Sequence, residues 1–157
     1  MRWLRIGLCL LTVGQACSES TAPQDAHLVV QPDTLSAKLV TGSGYAFISL
    51  SIPVRVQNTG TDSLPIFSWA VDVLRGSQWV TLSPPVPPCC VMLGNSPKLA
   101  PGEVRDFTVE VSGDYGGAGP QWGAPPGPAD FRVRLLLNSN ELAASNMFVV
   151  FSPNSVP

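Results

Sequence analysis

Between residues 48 and 56, apolar side chains fall on every second position. Ile48, Leu50, Ile52, Val54 and Val56 alternate with Ser49, Ser51, Pro53 and Arg55. A strand sends successive side chains to opposite faces, so this period of two predicts one face on a core and one in water. Asn58-Thr59-Gly60-Thr61-Asp62-Ser63 then marks a turn. The period returns over residues 64–74: Phe67, Trp69, Val71 and Val73 share one face, Ile66, Ser68, Ala70 and Asp72 the other. On that pattern Trp69 belongs to the core and Asp72 is half exposed. Further strands are predicted over 79–82, 104–111, 131–137 and 144–151, with an earlier pair at 27–31 and 34–39. Asn138-Ser139-Asn140-Glu141 reads as a hairpin turn. Pro53 predicts that its strand is an edge or is bulged there, because proline has no N–H for the ladder. No stretch carries a helical period, so the expectation is an all-β antiparallel sandwich of about seven or eight short strands.

Composition agrees with that class. The chain has 157 residues, of which only 13% are charged, with 14 glycines and 16 prolines. Turn formers in such numbers suit short strands joined by loops. The formal charge is −2; without Arg2 and Arg5 seven basic residues face eleven acidic ones, or −4. No basic cluster remains to gather nucleic acid, which is therefore not an expected partner.

The first 16 residues do not fit the sandwich. Arg2 and Arg5 give a positive start, residues 6–13 a short apolar run, and Gly14 and Ala16 are small residues three and one places before Cys17. These are the zones of a cleavable export signal, and the run is far shorter than the roughly 20 residues that cross a bilayer. Gly14-Gln15-Ala16-Cys17 resembles the lipobox of bacterial lipoprotein precursors. That resemblance implies a lipid on Cys17, which becomes the new N-terminus, and an anchored location in the cell envelope. The other reading is a plain secretory signal that leaves Cys17 as a free thiol on a soluble exported protein. The expected division is a signal at 1–16, a lipidated cysteine and tether at 17–26, and one sandwich at 27–157.

A second resemblance rests on Val54-Arg55-Val56-Gln57-Asn58-Thr59-Gly60, Trp69-Ala70-Val71-Asp72-Val73, Trp79, Leu99-Ala100-Pro101-Gly102-Glu103, Phe107-Thr108-Val109 and Asp130-Phe131-Arg132-Val133-Arg134. In this order they resemble bacterial immunoglobulin-like domains, including the type named after a Bacillus intracellular proteinase inhibitor. The resemblance spans residues 45–140 and implies an immunoglobulin-like β-sandwich. Its motifs are turns and strands, so they speak to fold rather than activity.

Candidate chemistry is sparse. Cys89 and Cys90 are adjacent, and outside the cytoplasm they are expected to form a strained vicinal disulfide or to stay as two thiols. A structural zinc site wants four nitrogen or sulfur ligands, and the mature chain offers these two cysteines and His27. His27, the single histidine, sits at the tether's edge, where a catalytic base would lack a frame. Asp106 and Glu110 project together from one strand, as a solvated face does. The turn at 58–62 lacks the ligand pattern of a calcium loop. No cofactor, metal or catalytic residue is expected, and the protein is read as a non-enzyme. Trp122 stands in a Gly- and Pro-rich loop near Tyr115. It is expected either to grip a protein or carbohydrate partner with Tyr115, or to fold back and plug the end of the sandwich. Pro84-Pro85-Val86-Pro87-Pro88 reads as a stiff loop. The expected function is therefore an envelope lipoprotein with a non-catalytic binding or structural domain. Two alternatives remain: a loop that inhibits a protease, and a thiol redox protein using Cys89 and Cys90.

Overall fold

The computed structural model describes residues 25–43, 45–66, 68–82, 97–114, 122–137 and 140–153. Cys17, Cys89, Cys90, Tyr115 and the 84–88 segment lie outside the described residues. Among the described residues every regular element is a strand, and the molecule is an all-β sandwich.

The first sheet is built on β4 (Tyr45–Asn58), the strand with the clearest alternation. Its even-numbered residues from Ile48 to Asn58 are buried. β9 (Val104–Asp114) runs antiparallel along one side of it, from Phe47↔Asp114 to Gln57↔Val104. The other side is shared end to end by β1 (Ala26–Val30) and β3 (Lys38–Gly42). β4 is therefore the inner strand, which corrects the expectation that Pro53 marks an edge or bulge. The physical reason lies in the register. β1 reaches Val54 and β3 begins at Ser49, so Pro53 sits in the interval where β4 has no ladder partner on that side. A missing N–H costs little there.

The second sheet runs β2 (Thr34–Ser36), β12 (Phe148–Ser152), β10 (Gly127–Leu137), β6 (Ser68–Arg75), β7 (Gln78–Thr81). β11 (Asn140–Ala144) pairs with the far half of β10. The strand expected over 34–39 is in fact two. β2 pairs with β12 in this sheet, and after Ala37 the chain enters the other sheet as β3. The strand expected over 64–74 is also divided, into β5 (Leu64–Pro65), which pairs with β8 (Lys98–Leu99), and β6.

Between the sheets lie Leu50, Ile52, Val54, Val56, Val109 and Val111 from one side and Trp69, Val71, Val73, Phe131, Val133, Leu135, Phe148 and Val150 from the other. Each such side chain contributes about 1.5–3 kcal/mol by leaving water. Trp69 is buried and tilts against Phe107 at 5.7 Å between ring centroids.

The two ends of the sandwich differ. At the Asn58 end, the turn after β4 and the turn before β9 interlock. Asn58 N–H donates to the Glu103 carbonyl, and Gly102 N–H donates back to the Asn58 carbonyl, each at 3.0 Å. Residues 100–103 form a type II turn: Glu103 N–H donates to the Ala100 carbonyl at 2.9 Å, and Gly102 supplies the positive φ of 76°. The Glu103 carboxylate accepts from Ala100 N–H, the main cause that holds its pKa below the ordinary value, with Arg105 adding to it. The chain also enters the sandwich at this end, where Thr59 N–H donates to the Asp25 carbonyl at 2.9 Å. The opposite, Tyr45 end carries the β3–β4 turn and the end of β9.

Candidate binding surface

Trp122 is brought to the Tyr45 end by its backbone. Its N–H donates to the Asp114 carbonyl at 3.0 Å. The indole lies partly buried against the core, stacked on Phe131 at 6.5 Å between centroids, and its Nε1–H donates to Ser152 Oγ at 3.2 Å. Of the two arrangements weighed for this residue, the side chain takes the plugging one. Trp122→Phe keeps the stacking and loses one hydrogen bond, so it is expected to cost about 1 kcal/mol in denaturant unfolding. Trp122→Ala also removes the plug, and about 2–3 kcal/mol is expected for a partly buried indole.

Beside it lies a surface built on a strand rather than on a loop. The phase that buries Ile48 and Leu50 turns Tyr45, Phe47, Ser49 and Ser51 outward. Tyr45 and Phe47 are stacked, with centroids 6.0 Å apart and planes 24° from parallel. Tyr45 is 58% exposed. Its ring lies across Gly42, its direct cross-strand partner: a Cβ at Gly42 would meet Tyr45 Cζ at 2.2 Å. Glycine is therefore what allows the ring to lie down on the sheet. On the other side of β4, Asp114 stands opposite Phe47. Phe47, Ser112, Gly113 and Asp114 line a shallow cavity of about 280 Å³. The signal in the sequence was two aromatics at positions whose phase faces water.

The clusters of charge elsewhere are internally satisfied. Asp72 is 1% exposed, which corrects the half-exposed expectation. Its strand is covered on both faces, and three side chains close over the carboxylate. Oδ1 accepts from Thr81 Oγ1 and Arg134 Nη2, each at 2.9 Å, and Oδ2 accepts from Arg132 Nε at 2.9 Å. Arg134 Nε also lies 2.7 Å from Oδ2, without the alignment of a hydrogen bond. Burial pushes the Asp72 pKa up, but the bonds from Arg134, Thr81 and Arg132 outweigh it and leave the pKa below its ordinary value. The Arg132 guanidinium rests over the Trp79 ring, 4.6 Å from its centroid. A carboxylate held ionised in this way neither gives nor takes a proton near neutrality.

Across the outer face of the first sheet, Arg55 pairs with Asp106 at 2.8 Å and Glu110 accepts from Ser51 Oγ at 2.8 Å. That ion pair lines an open cavity of about 360 Å³ with Val29, Gln31, Pro53 and Thr108, and its two charges are spent on each other. His27 is exposed on β1 opposite Gln57. Among the described residues no three His, Cys, Asp or Glu side chains are grouped to hold a metal. At the 58–62 turn, Asn58 Nδ2 donates to the Asp62 carbonyl and Oδ1 accepts from Gly60 N–H, so the turn is closed on itself.

The chain matches no family model and no curated protein. Among solved structures it is similar to a structural-genomics consortium target, with TM-score 0.44 and 8% identity over 84% of this chain and 90% of that one. It is also similar to the alkylpurine DNA glycosylase AlkC of Pseudomonas fluorescens, bound to DNA containing an abasic site analog, with TM-score 0.41 and 14% identity. The third is a β-glucosidase from Listeria innocua in complex with gluconolactone, with TM-score 0.38 and 16% identity. The chain covers 82% and 84% of its own length in the last two but spans only 31% and 16% of theirs. Likenesses this distant carry nothing about what the chain does.

Proposed function

We propose that the protein is an exported envelope lipoprotein whose immunoglobulin-like sandwich is a non-catalytic binding module, held at one end and open to partners at the other. The observation that carries this reading is the separation of the two ends. Asp25, the first described residue, is bonded into the Asn58 end. Tyr45, Phe47 and Asp114 lie at the far end of β4, whose fourteen residues span about 45 Å. A tether from Cys17 to Asp25 therefore leads to the end away from the exposed aromatics. The signal-like zones of residues 1–16 and the Gly14-Gln15-Ala16-Cys17 motif support the anchor. The interlocked turns at Asn58 and Gly102, together with the buried Trp69, support the immunoglobulin-like reading.

Cys17→Ser tests the anchor. The native chain is expected in the membrane fraction, with an N-terminal cysteine heavier by its acyl chains in intact-mass measurement. The variant is expected to lose that mass and to retain the signal. An unmodified N-terminal cysteine on the native protein would remove the anchor from the account.

A further inference from the structure

We infer that the shelf formed by Tyr45, Phe47 and Asp114 is a binding site for a neutral sugar ring, an assignment that rests on reading this end as the partner-facing one. A tyrosine on the outer face of a strand ordinarily stands away from the sheet. Here Gly42 leaves its side of the ladder bare, and the ring lies over it while staying 58% exposed. The result is a flat aromatic face lying on the sheet, with Phe47 stacked beside it at 6.0 Å. A tyrosine has only two side-chain torsions to order, so binding against its ring loses little entropy.

The polar groups narrow the ligand class. The cavity beside Phe47 is lined by Asp114 and Ser112, with no cation among its described lining residues. A carboxylate with no neighbouring cation disfavours phosphate, sulfate or carboxylate ligands and accepts hydrogen bonds from hydroxyls. A ligand suited to this shelf presents a face of C–H groups to an aromatic ring and hydroxyls at its rim, which is the pattern of a pyranose. The cavity, about 280 Å³, is at the lower end of the roughly 300–1,000 Å³ of small-molecule sites and suits one ring, with the rest of a chain running over the sheet. The 360 Å³ cavity on the same face differs in its charges, since its Arg55 and Asp106 are bonded to each other, and its ring, Phe107, is half-buried with no exposed tyrosine stacked beside it.

The test uses the full chain in detergent micelles and neutral hexasaccharides of glucose, mannose, galactose and N-acetylglucosamine as probes. Amide NMR reads the site and calorimetry the affinity. At least one probe is expected to shift Tyr45, Phe47 and Asp114. Tyr45→Ala and Asp114→Asn are each expected to weaken that binding by about tenfold or more. Tyr45→Phe keeps the ring and is expected to keep most of the affinity. Gly42→Ala is the sharper variant: Gly42 offers no side chain to a ligand, yet its Cβ must displace the Tyr45 ring, and binding is expected to fall as with Tyr45→Ala. Phe151→Ala, at an exposed aromatic of the other sheet, is expected to change nothing. Thermal melts of each variant separate loss of fold from loss of binding.

Absence of any shift, or binding that survives Tyr45→Ala, would overturn the assignment. A photo-cross-linker at position 45 in cells distinguishes the two levels of the proposal. Capture of a protein would end the sugar assignment and leave the outward-facing surface standing, whereas capture of lipid would end both.

Discussion

Asn58→Ala is expected to cost the protein about 3 kcal/mol, the largest single loss predicted for a side chain of this size. Asn58 is fully buried. Its Nδ2 donates to the carbonyls of Asp62 at 2.8 Å and Leu99 at 3.0 Å, and its Oδ1 accepts from Gly60 N–H at 3.0 Å. Alanine leaves two carbonyls and an N–H without that partner; the Leu99 carbonyl is buried and the other two groups are partly so, and a group left unsatisfied costs about 1–3 kcal/mol. Asn58→Asp sharpens the test because the shape is unchanged. A carboxylate has no hydrogen to offer the two carbonyls, so this variant is expected to be at least as unstable as alanine at neutral pH. Denaturant titration of both measures the effect. A loss below about 0.5 kcal/mol, the ordinary scale of a surface change, would mean that the interlocked turns do not hold this end together.

The second large effect concerns Asp72. Removing the carboxylate in Asp72→Ala leaves Arg132 without a carboxylate over a covered strand and Arg134 with only Glu141 at 3.5 Å and the Thr81 hydroxyl at 3.1 Å. Breaking a fully buried pair costs about 3–5 kcal/mol. Here the arginine side chains are 25% and 21% exposed, so water screens part of the charge and about 2–3 kcal/mol is expected. The same group shapes the response to acid. Its folded pKa lies below the ordinary value of 3.8, so the unfolded chain takes up the proton first. The stability it lends is complete above that ordinary value and is lost as pH falls through the lower folded pKa. Native protein is therefore expected to lose stability steeply below about pH 4, and Asp72→Asn to show a shallower fall over the same range. Equal slopes for the two would place the acid sensitivity elsewhere. The carboxylates of exposed Asp106 and half-buried Glu103 also have lowered pKa values, through Arg55 and through Ala100 N–H respectively, but water reaches both.

What could be read from the chain follows from where its signals are local. The alternation at 48–56 foretold both β4 and its buried face, because a period of two is written in the strand itself. Trp69 was legible for the same reason. Pro53 misled because the rule about proline concerns a ladder partner, and whether a partner exists at that point depends on where β1 stops and β3 begins. Asp72 misled because its neighbours Ser68 and Ala70 suggested a wet face. The arginines that bury it come from β10, sixty residues away. The division of residues 34–39 between sheets is likewise set by β12 and β4 rather than by its own side chains. At the candidate site, Trp122 stands out in the sequence by its glycine-rich surroundings, while Tyr45 and Phe47 occupy outward positions of the best-defined strand. Gly42 gained its meaning only once the register placed it opposite Tyr45.

In the proposed function the domain is held by its Asn58 end and meets partners with its Tyr45 end. Energy transfer in reconstituted vesicles tests this most directly, with a fluorescent non-natural amino acid at Thr61 or at Tyr45 and acceptors on the lipid headgroups. The account predicts strong transfer from position 61 and much weaker transfer from position 45. Transfer that is equal from both, or stronger from position 45, would contradict it.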